Sequence, residues 1–341
     1  MPPHVAIVTD STAYLSPQAL NRHAISLVPL TVVIDDEAFE EGTDISAPAV
    51  ARALQRRRPV TTSRPSPAEF TAAYEAAAAG GADAIVSLHL SADFSGTYDA
   101  ATVAAKEAPV PVRVVDTGMV AMALGFTVLA AAEAAEAGGS MDDVVAAAER
   151  RAARTSAFFY VDTLDYLRRG GRIGAAQALF GSALAVKPLL RLSDGRIELL
   201  EKVRTASRAI IRLEEIVVEC AGAAVGGPTG VPAGVVASAG AGVPAGAGTG
   251  VAGTGVGGVG SVGSGAVGSG AAGSAAAEGA AGVGRVDLAV HHLGAADRAA
   301  ALAERLRPRV PGLGELVVSE VGAVIGAHAG PGLLGVVVSP R

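Results

Sequence analysis

Val5-Ala6-Ile7-Val8-Thr9-Asp10-Ser11-Thr12 decides how this chain is read. A short apolar, β-branched run describes a buried strand, and Asp10-Ser11-Thr12 marks its exit into a polar loop. The same alternation continues downstream. Ser16-Pro17 opens a helix, with Ser as cap and Pro at the first helical position. Val28 to Ile34 reads as a second strand, and Ser66-Pro67-Ala68-Glu69 is a capping box that starts another helix. Ala84 to Leu90 is a third strand, followed by a helix from about Thr97 to Glu107 and a strand over Val112 to Val115. Two Ala-rich helices follow, the second capped at Ser140. Strands alternating with helices of this length imply parallel βαβ units over residues 1–155.

From Ala157-Phe158-Phe159-Tyr160-Val161 onward the pattern changes. Lys187 to Leu192 and Arg196 to Lys202 flank Asp194-Gly195, a hairpin signal. A helix over about Thr205 to Glu219, strands at Val286 to His292, Leu316 to Val321 and Leu334 to Val338, and a helix near Asp297 to Arg307 complete a second α/β set. The expected fold class is α/β, with two α/β domains. Residues 1–155 form an N-terminal domain with a mainly parallel sheet, and residues 156–341 form a mixed α/β domain. A low-complexity insert at about residues 220–284, almost entirely Gly, Ala, Val, Ser, Thr and Pro, interrupts the second domain. It is expected to be flexible, with repeat-like β structure as the alternative.

Composition narrows the function classes. Among 341 residues, 33 acids outnumber 27 bases, giving a net charge of −6 and no basic face for nucleic acid. A single cysteine, Cys220, excludes an internal disulfide framework and a four-cysteine zinc site. Much of the mean hydropathy of +0.42 comes from the insert, where recurrent Gly makes a membrane-spanning helix costly. Met1 to Val5 carries no basic run of the kind that opens a secretory signal, so a cytoplasmic location is expected.

Three polar clusters sit where strands give way to loops, the place where open α/β sheets bind ligands. They are Asp10-Ser11-Thr12, Thr61-Thr62-Ser63-Arg64-Pro65-Ser66, and Ser91-Ala92-Asp93-Phe94-Ser95-Gly96-Thr97-Tyr98. Ser95 and Gly96 precede a helix, whose unpaired N–H groups favour an anion, and Gly96 permits close backbone approach by a ligand. Capping explains Ser66 in full and explains Ser95 and Thr97 as well as ligand binding does. Ser11 and Thr12 fit capping or a local turn better. A serine hydrolase using Ser95, His328 and an Asp is an alternative, although Phe94-Ser95-Gly96 lacks the Gly-x-Ser-x-Gly elbow. His291 and His292, adjacent on a strand, point to opposite faces and suit a core or surface role better than a metal site. No phosphate-binding Gly-x-x-x-x-Gly-Lys-Ser/Thr loop is present, which argues against self-contained kinase activity.

The segment Val5 to Thr12, Thr62-Ser63-Arg64-Pro65-Ser66, Ser95-Gly96-Thr97-Tyr98 and Val114-Val115-Asp116-Thr117 resemble successive signatures of the DegV family. So do Leu164 to Ile173, Lys187-Pro188-Leu189-Leu190, Lys202-Val203-Arg204-Thr205 and Gly326-Ala327-His328-Ala329-Gly330-Pro331-Gly332. Tyr14, Arg64 and Thr117 depart from the residues common in that family, as does the insert. The resemblance implies a long-chain fatty acid, such as palmitate, bound between two α/β domains. It also implies a binding protein rather than an enzyme, with no cofactor besides that ligand, acting in lipid transport or fatty acid metabolism.

Carried to this sequence, the family pattern gives Thr62 and Ser95 the carboxylate, with His328 supporting the head-group site. The Gly96 N–H is a further donor that the physics supplies. Arg172 and Arg204 match residues that dock a separate fatty acid kinase subunit. A solvated helix end, or transient contact with an anionic membrane surface, would account for the same basic residues.

Overall fold

The computed structural model describes residues 4–174, 176, 187–226 and 284–341. The first part of the chain runs β1 (Val5–Asp10), a 3-10 turn (Ser11–Ala13), α1 (Pro17–Arg22), β2 (Ser26–Val28), β3 (Thr31–Ile34), β4 (Glu37–Glu40) and α2 (Ala47–Gln55). It continues through β5 (Val60–Ser63), α3 (Pro67–Ala79), β6 (Ala84–His89), α4 (Thr97–Ala105), β7 (Val112–Asp116), α5 (Met122–Glu136) and α6 (Met141–Arg154). Then come β8 (Ser156–Tyr160), α7 (Asp165–Arg169), β9 (Lys187–Ser193), β10 (Arg196–Val203), α8 (Ala206–Gly226), β11 (Val286–His292), α9 (Ala296–Leu306), β12 (Leu313–Glu320), α10 (Ala323–Ala329) and β13 (Leu334–Pro340).

The early alternation becomes a parallel four-stranded sheet in the order β2-β1-β6-β7. Both faces of its central strands are covered, which is why β1 and β6 read as nearly unbroken apolar runs. Phe70, Tyr74 and Ala101 from α3 and α4 pack on Val8 and Ile85. Leu124, Val128 and Val144 from α5 and α6 belong to the cluster around Ile7, Val86 and Leu88. The helices start where the sequence places their caps: Ser66 and Ser140 both close complete capping boxes, and Ser16 accepts from the Ala19 N–H.

The later strands form a mixed six-stranded sheet in the order β10-β9-β8-β13-β11-β12. Only the β11–β12 pair is parallel. Asp194 (φ 47°) and Gly195 (φ 75°) make the turn between β9 and β10, as the primed hairpin geometry requires. Leu213 and Val217 of α8, with Leu302 and Leu306 of α9, cover Leu288, Val290, Val336 and Val338. Ala289 and Val337 belong instead to the cluster of α5 and α6, so these two helices form a layer shared by both sheets.

Two expectations are corrected. Val28 to Ile34 is not one strand: β2 ends at Val28, and β3 joins a separate antiparallel sheet in the order β4-β3-β5. Pro29 lies between them and has no N–H to donate to a ladder. The helix expected to end near Glu219 runs to Gly226, into the stretch assigned to the insert. Leu213, Val217 and Ala221 recur at helical spacing and are fully buried, so packing carries the helix past the last charged residue. The rest of the insert, residues 227–283, lies outside the described residues. Among the described residues no helix is long and apolar enough to cross a membrane.

Candidate functional site

A cavity of about 150 Å³ takes its walls from the three-stranded and six-stranded sheets, from the segments that follow β1, β2 and β6 of the parallel sheet, and from α10. Leu90 and Phe94, just beyond β6, face it, as do Phe158 and Phe159 of β8, Ile197 of β10 and Val336 of β13. Polar residues on the wall are few. Thr62 and His328 are bonded to each other, Arg172 and Arg64 lie against the turn that carries Ser95, and Thr12 and His291 make separate bonds.

Thr62 was expected in a loop, but it lies on β5, an edge strand of the three-stranded sheet, opposite Val32. Its Oγ1 is 2.8 Å from Nε2 of His328, near the end of α10. Burial pushes the His328 pKa down to about 4, and the positive charge of Arg172 adds to that shift. The imidazole is therefore neutral at neutral pH. Its Nδ1 is buried without a hydrogen-bond partner among the described residues and faces Gly170, where a Cβ would come within 2.1 Å of it. The glycines that follow His328 are also explained: Gly330 (φ 74°) and Gly332 (φ 89°) lie against Tyr166 and Asp162 with no room for a side chain.

Ser95 and Gly96 lie at the entrance to α4, as the sequence implies. Ser95 Oγ is 2.8 Å from Thr97 Oγ1, and Gly96 supplies no side-chain cap, so N–H groups of the first turn stay open. The space in front of the Gly96 Cα is taken by the chain itself. A Cβ there would sit 2.0 Å from Nη1 of Arg64. Arg172 is half-buried, and its Nε donates to the carbonyl of Phe94 at 2.9 Å while Nη1 donates to that of Gly170. The structure thus joins Thr62 to His328 directly, and brackets the Phe94–Gly96 turn between two guanidinium groups. Arg204 stands elsewhere, exposed at the bend after β10.

Asp10, Ser11 and Thr12 prove to be the brace of the site. Asp10 accepts from Thr12 N–H and Oγ1, from Leu90 N–H at 2.9 Å, and lies 3.1 Å from His89 Nδ1. Both Thr12 and Leu90 line the cavity. Ser11 donates to Glu41 at 2.6 Å and accepts from Leu30 N–H. Glu41 in turn accepts from Val324 N–H at 2.7 Å, at the start of the helix that carries His328. Burial raises the pKa of Glu41, opposed by these hydrogen bonds.

The alternative hydrolytic arrangement is not assembled among the described residues: His328 pairs with Thr62, and no carboxylate orients its Nδ1. A Ser–His–Asp array does exist in Ser87, His89 and Asp10, but all three are fully buried and none lines the cavity. Of the adjacent histidines, His291 accepts from the Met122 N–H and lines the cavity, while His292 lies 3.9 Å from Glu320. Among the described residues no group of three or more His, Cys, Asp or Glu is placed to hold a metal ion.

Sequence reasoning missed Arg64, Phe94 and His291 as wall residues. Arg64 lies two positions after Thr62 and Phe94 adjoins Ser95, both within the polar clusters quoted above, which is the signal that was available. His291 had none, because its approach to the cavity depends on how α5 meets β11.

A DegV domain-containing protein of Streptomyces coelicolor is 61% identical over 338 residues, covering 99% of each chain. The DegV family protein of Thermus thermophilus, described for its fatty acid binding, superposes with a TM-score of 0.77 at 29% identity, covering 99% of this chain and 100% of that one. DegV of Bacillus subtilis, a fatty acid binding protein, gives 0.76 at 29% identity with the same coverage. A family model described as an uncharacterised protein of the DegV family matches residues 4–238 and 274–341, and this chain belongs to that family.

Proposed function

We propose that this protein binds a long-chain fatty acid, with its carboxylate at Thr62, Ser95, Gly96 and His328 and its tail along the apolar wall. The observation that carries this reading is that Thr62, bonded to His328, and Ser95 both open onto a mostly apolar cavity. A neutral His328 that donates Nε2–H to Thr62 leaves the Thr62 hydroxyl hydrogen free for a carboxylate oxygen. Open N–H groups at the start of α4 offer further donors. Hydrogen bonds to a charged acceptor contribute about 1.5–3 kcal/mol each. Each tail methylene taken out of water contributes about 0.8 kcal/mol. A void of about 150 Å³ is of the size that holds a single benzene ring, so a palmitate-length tail requires wall side chains to move aside or its end to leave the cavity.

In the fuller form of this reading, residues 1–155 and 156–341 act as two domains around the acid, in the cytoplasm, and present its carboxylate to a separate ATP-dependent kinase. Arg204 is the exposed cation available for that docking. Arg172, turned to the cavity wall, is better placed to meet the head group than a partner. Solvent extraction of the purified protein, followed by mass spectrometry, tests the reading. A co-purified acyl chain, and at least tenfold weaker palmitate binding in the T62A/S95A double variant, are the expected results. Unchanged binding in the double variant contradicts the assigned head-group site.

A further inference from the structure

Two guanidinium groups face the cavity without an ion-pair partner among the described residues. Arg172 donates only to backbone carbonyls, and Arg64 lies in van der Waals contact with Gly96. Several arginines elsewhere in the chain hold carboxylates, among them Arg58 with Asp35, Arg196 with Asp93, and Arg151 and Arg341 with Asp287. Position 96 also gives up a side chain where one would strike Nη1 of Arg64. Both guanidinium groups lie against the Phe94–Gly96 turn on a mostly apolar wall, and an ionised head group placed there gains their attraction, whereas a neutral one does not.

We propose that Arg64 is a specificity residue: seated on Gly96 beside Ser95, it is the counter-ion that makes the cavity select ionised acyl chains over neutral lipids of the same length. The inference rests on the acyl-binding reading above and deepens it. Thr62 and Ser95 donate hydrogen bonds that an alcohol also accepts, so hydroxyl donors alone discriminate little. A guanidinium discriminates by charge, and its planar fork suits a carboxylate.

Equilibrium binding of palmitate and of hexadecanol to the full chain, wild type against R64Q and R64K, tests this. Arg64 is exposed at the cavity rim, so R64Q is expected to fold as the wild type does. The expected result is an about tenfold loss of palmitate affinity in R64Q, hexadecanol affinity within about twofold of wild type, partial rescue in R64K, and a weaker salt dependence of palmitate binding. Equal losses for both lipids would make Arg64 a wall residue only and overturn the inference. No loss for either lipid would overturn it as well, while leaving acyl binding intact. A wild-type protein that takes up neither lipid overturns both the reading and this inference.

Discussion

Oγ1 of Thr62 and Nε2 of His328 lie 2.8 Å apart although 266 positions separate them in the chain. One side chain comes from an edge strand and the other from the last turn of α10. If this bond orients the Thr62 hydroxyl toward a ligand, T62V keeps the shape and removes the donor. Palmitate affinity is expected to fall about tenfold, with a stability loss of no more than about 1.5 kcal/mol, the net worth of one hydrogen bond. T62S should retain binding. Titration calorimetry and thermal melts check both, and an unaltered affinity in T62V would remove Thr62 from the head-group site.

Gly96 makes a prediction linked to Arg64. Its φ of −73° is open to alanine, and the obstacle to a Cβ is the far end of a long side chain. G96A should therefore change stability by less than about 0.5 kcal/mol, the usual range for a substitution of this kind away from the core. It should displace the guanidinium and weaken palmitate binding in the same sense as R64Q. The two effects should not add in the double variant, since both act on one contact. Full additivity would show that Gly96 and Arg64 act separately.

Acid should destabilise the fold through buried His291 and half-buried His328, whose pKa values are held down to about 4 from 6.5. The unfolded chain takes up these protons first, so stability is fully present above pH 6.5 and is lost as pH falls toward about 4. For one such group the slope is about 1.4 kcal/mol per pH unit. H328Q removes one proton from the balance. The difference in unfolding free energy between wild type and H328Q, from denaturant titrations, should fall with that slope across the window. A difference independent of pH would mean that His328 titrates normally.

Glu41 fastens α10 to the turn after β1. Its carboxylate accepts from Ser11, Tyr14 and Val324 while 4% exposed. E41A leaves those donors without an acceptor, at a cost of about 2–4 kcal/mol. Because α10 carries His328, palmitate binding should weaken too, and E41Q should recover part of each loss. Chemical denaturation and binding titrations follow both effects. A variant E41A as stable as the wild type would show that water replaces the carboxylate.

Much of the frame was legible in the residues themselves. Apolar runs with capped helices between them specify buried strands and their crossovers, because burial and capping depend on neighbours in the chain. The capping box at Ser66, the cap at Ser140 and the turn at Asp194-Gly195 are such local features, and the structure contains all three. The break at Pro29 was equally local, and the continuous run from Val28 to Ile34 obscured it. The extension of α8 to Gly226 came from burial of Ala221 against the later strands, which composition does not display.

The candidate site divides in the same way. Ser95 and Gly96 stand out in the sequence at the start of a helix, whereas Thr62 and His328 were picked out by the resemblance of their motifs to the DegV family. That Thr62 meets His328, that Arg64 fills the space before Gly96, and that Arg172 turns inward to the Phe94 carbonyl were decided only by the tertiary structure. These are contacts between sheets and helices far apart in the chain. Their geometry follows from how α5, α6 and α10 pack between the sheets, a property of the whole fold that no local spacing records.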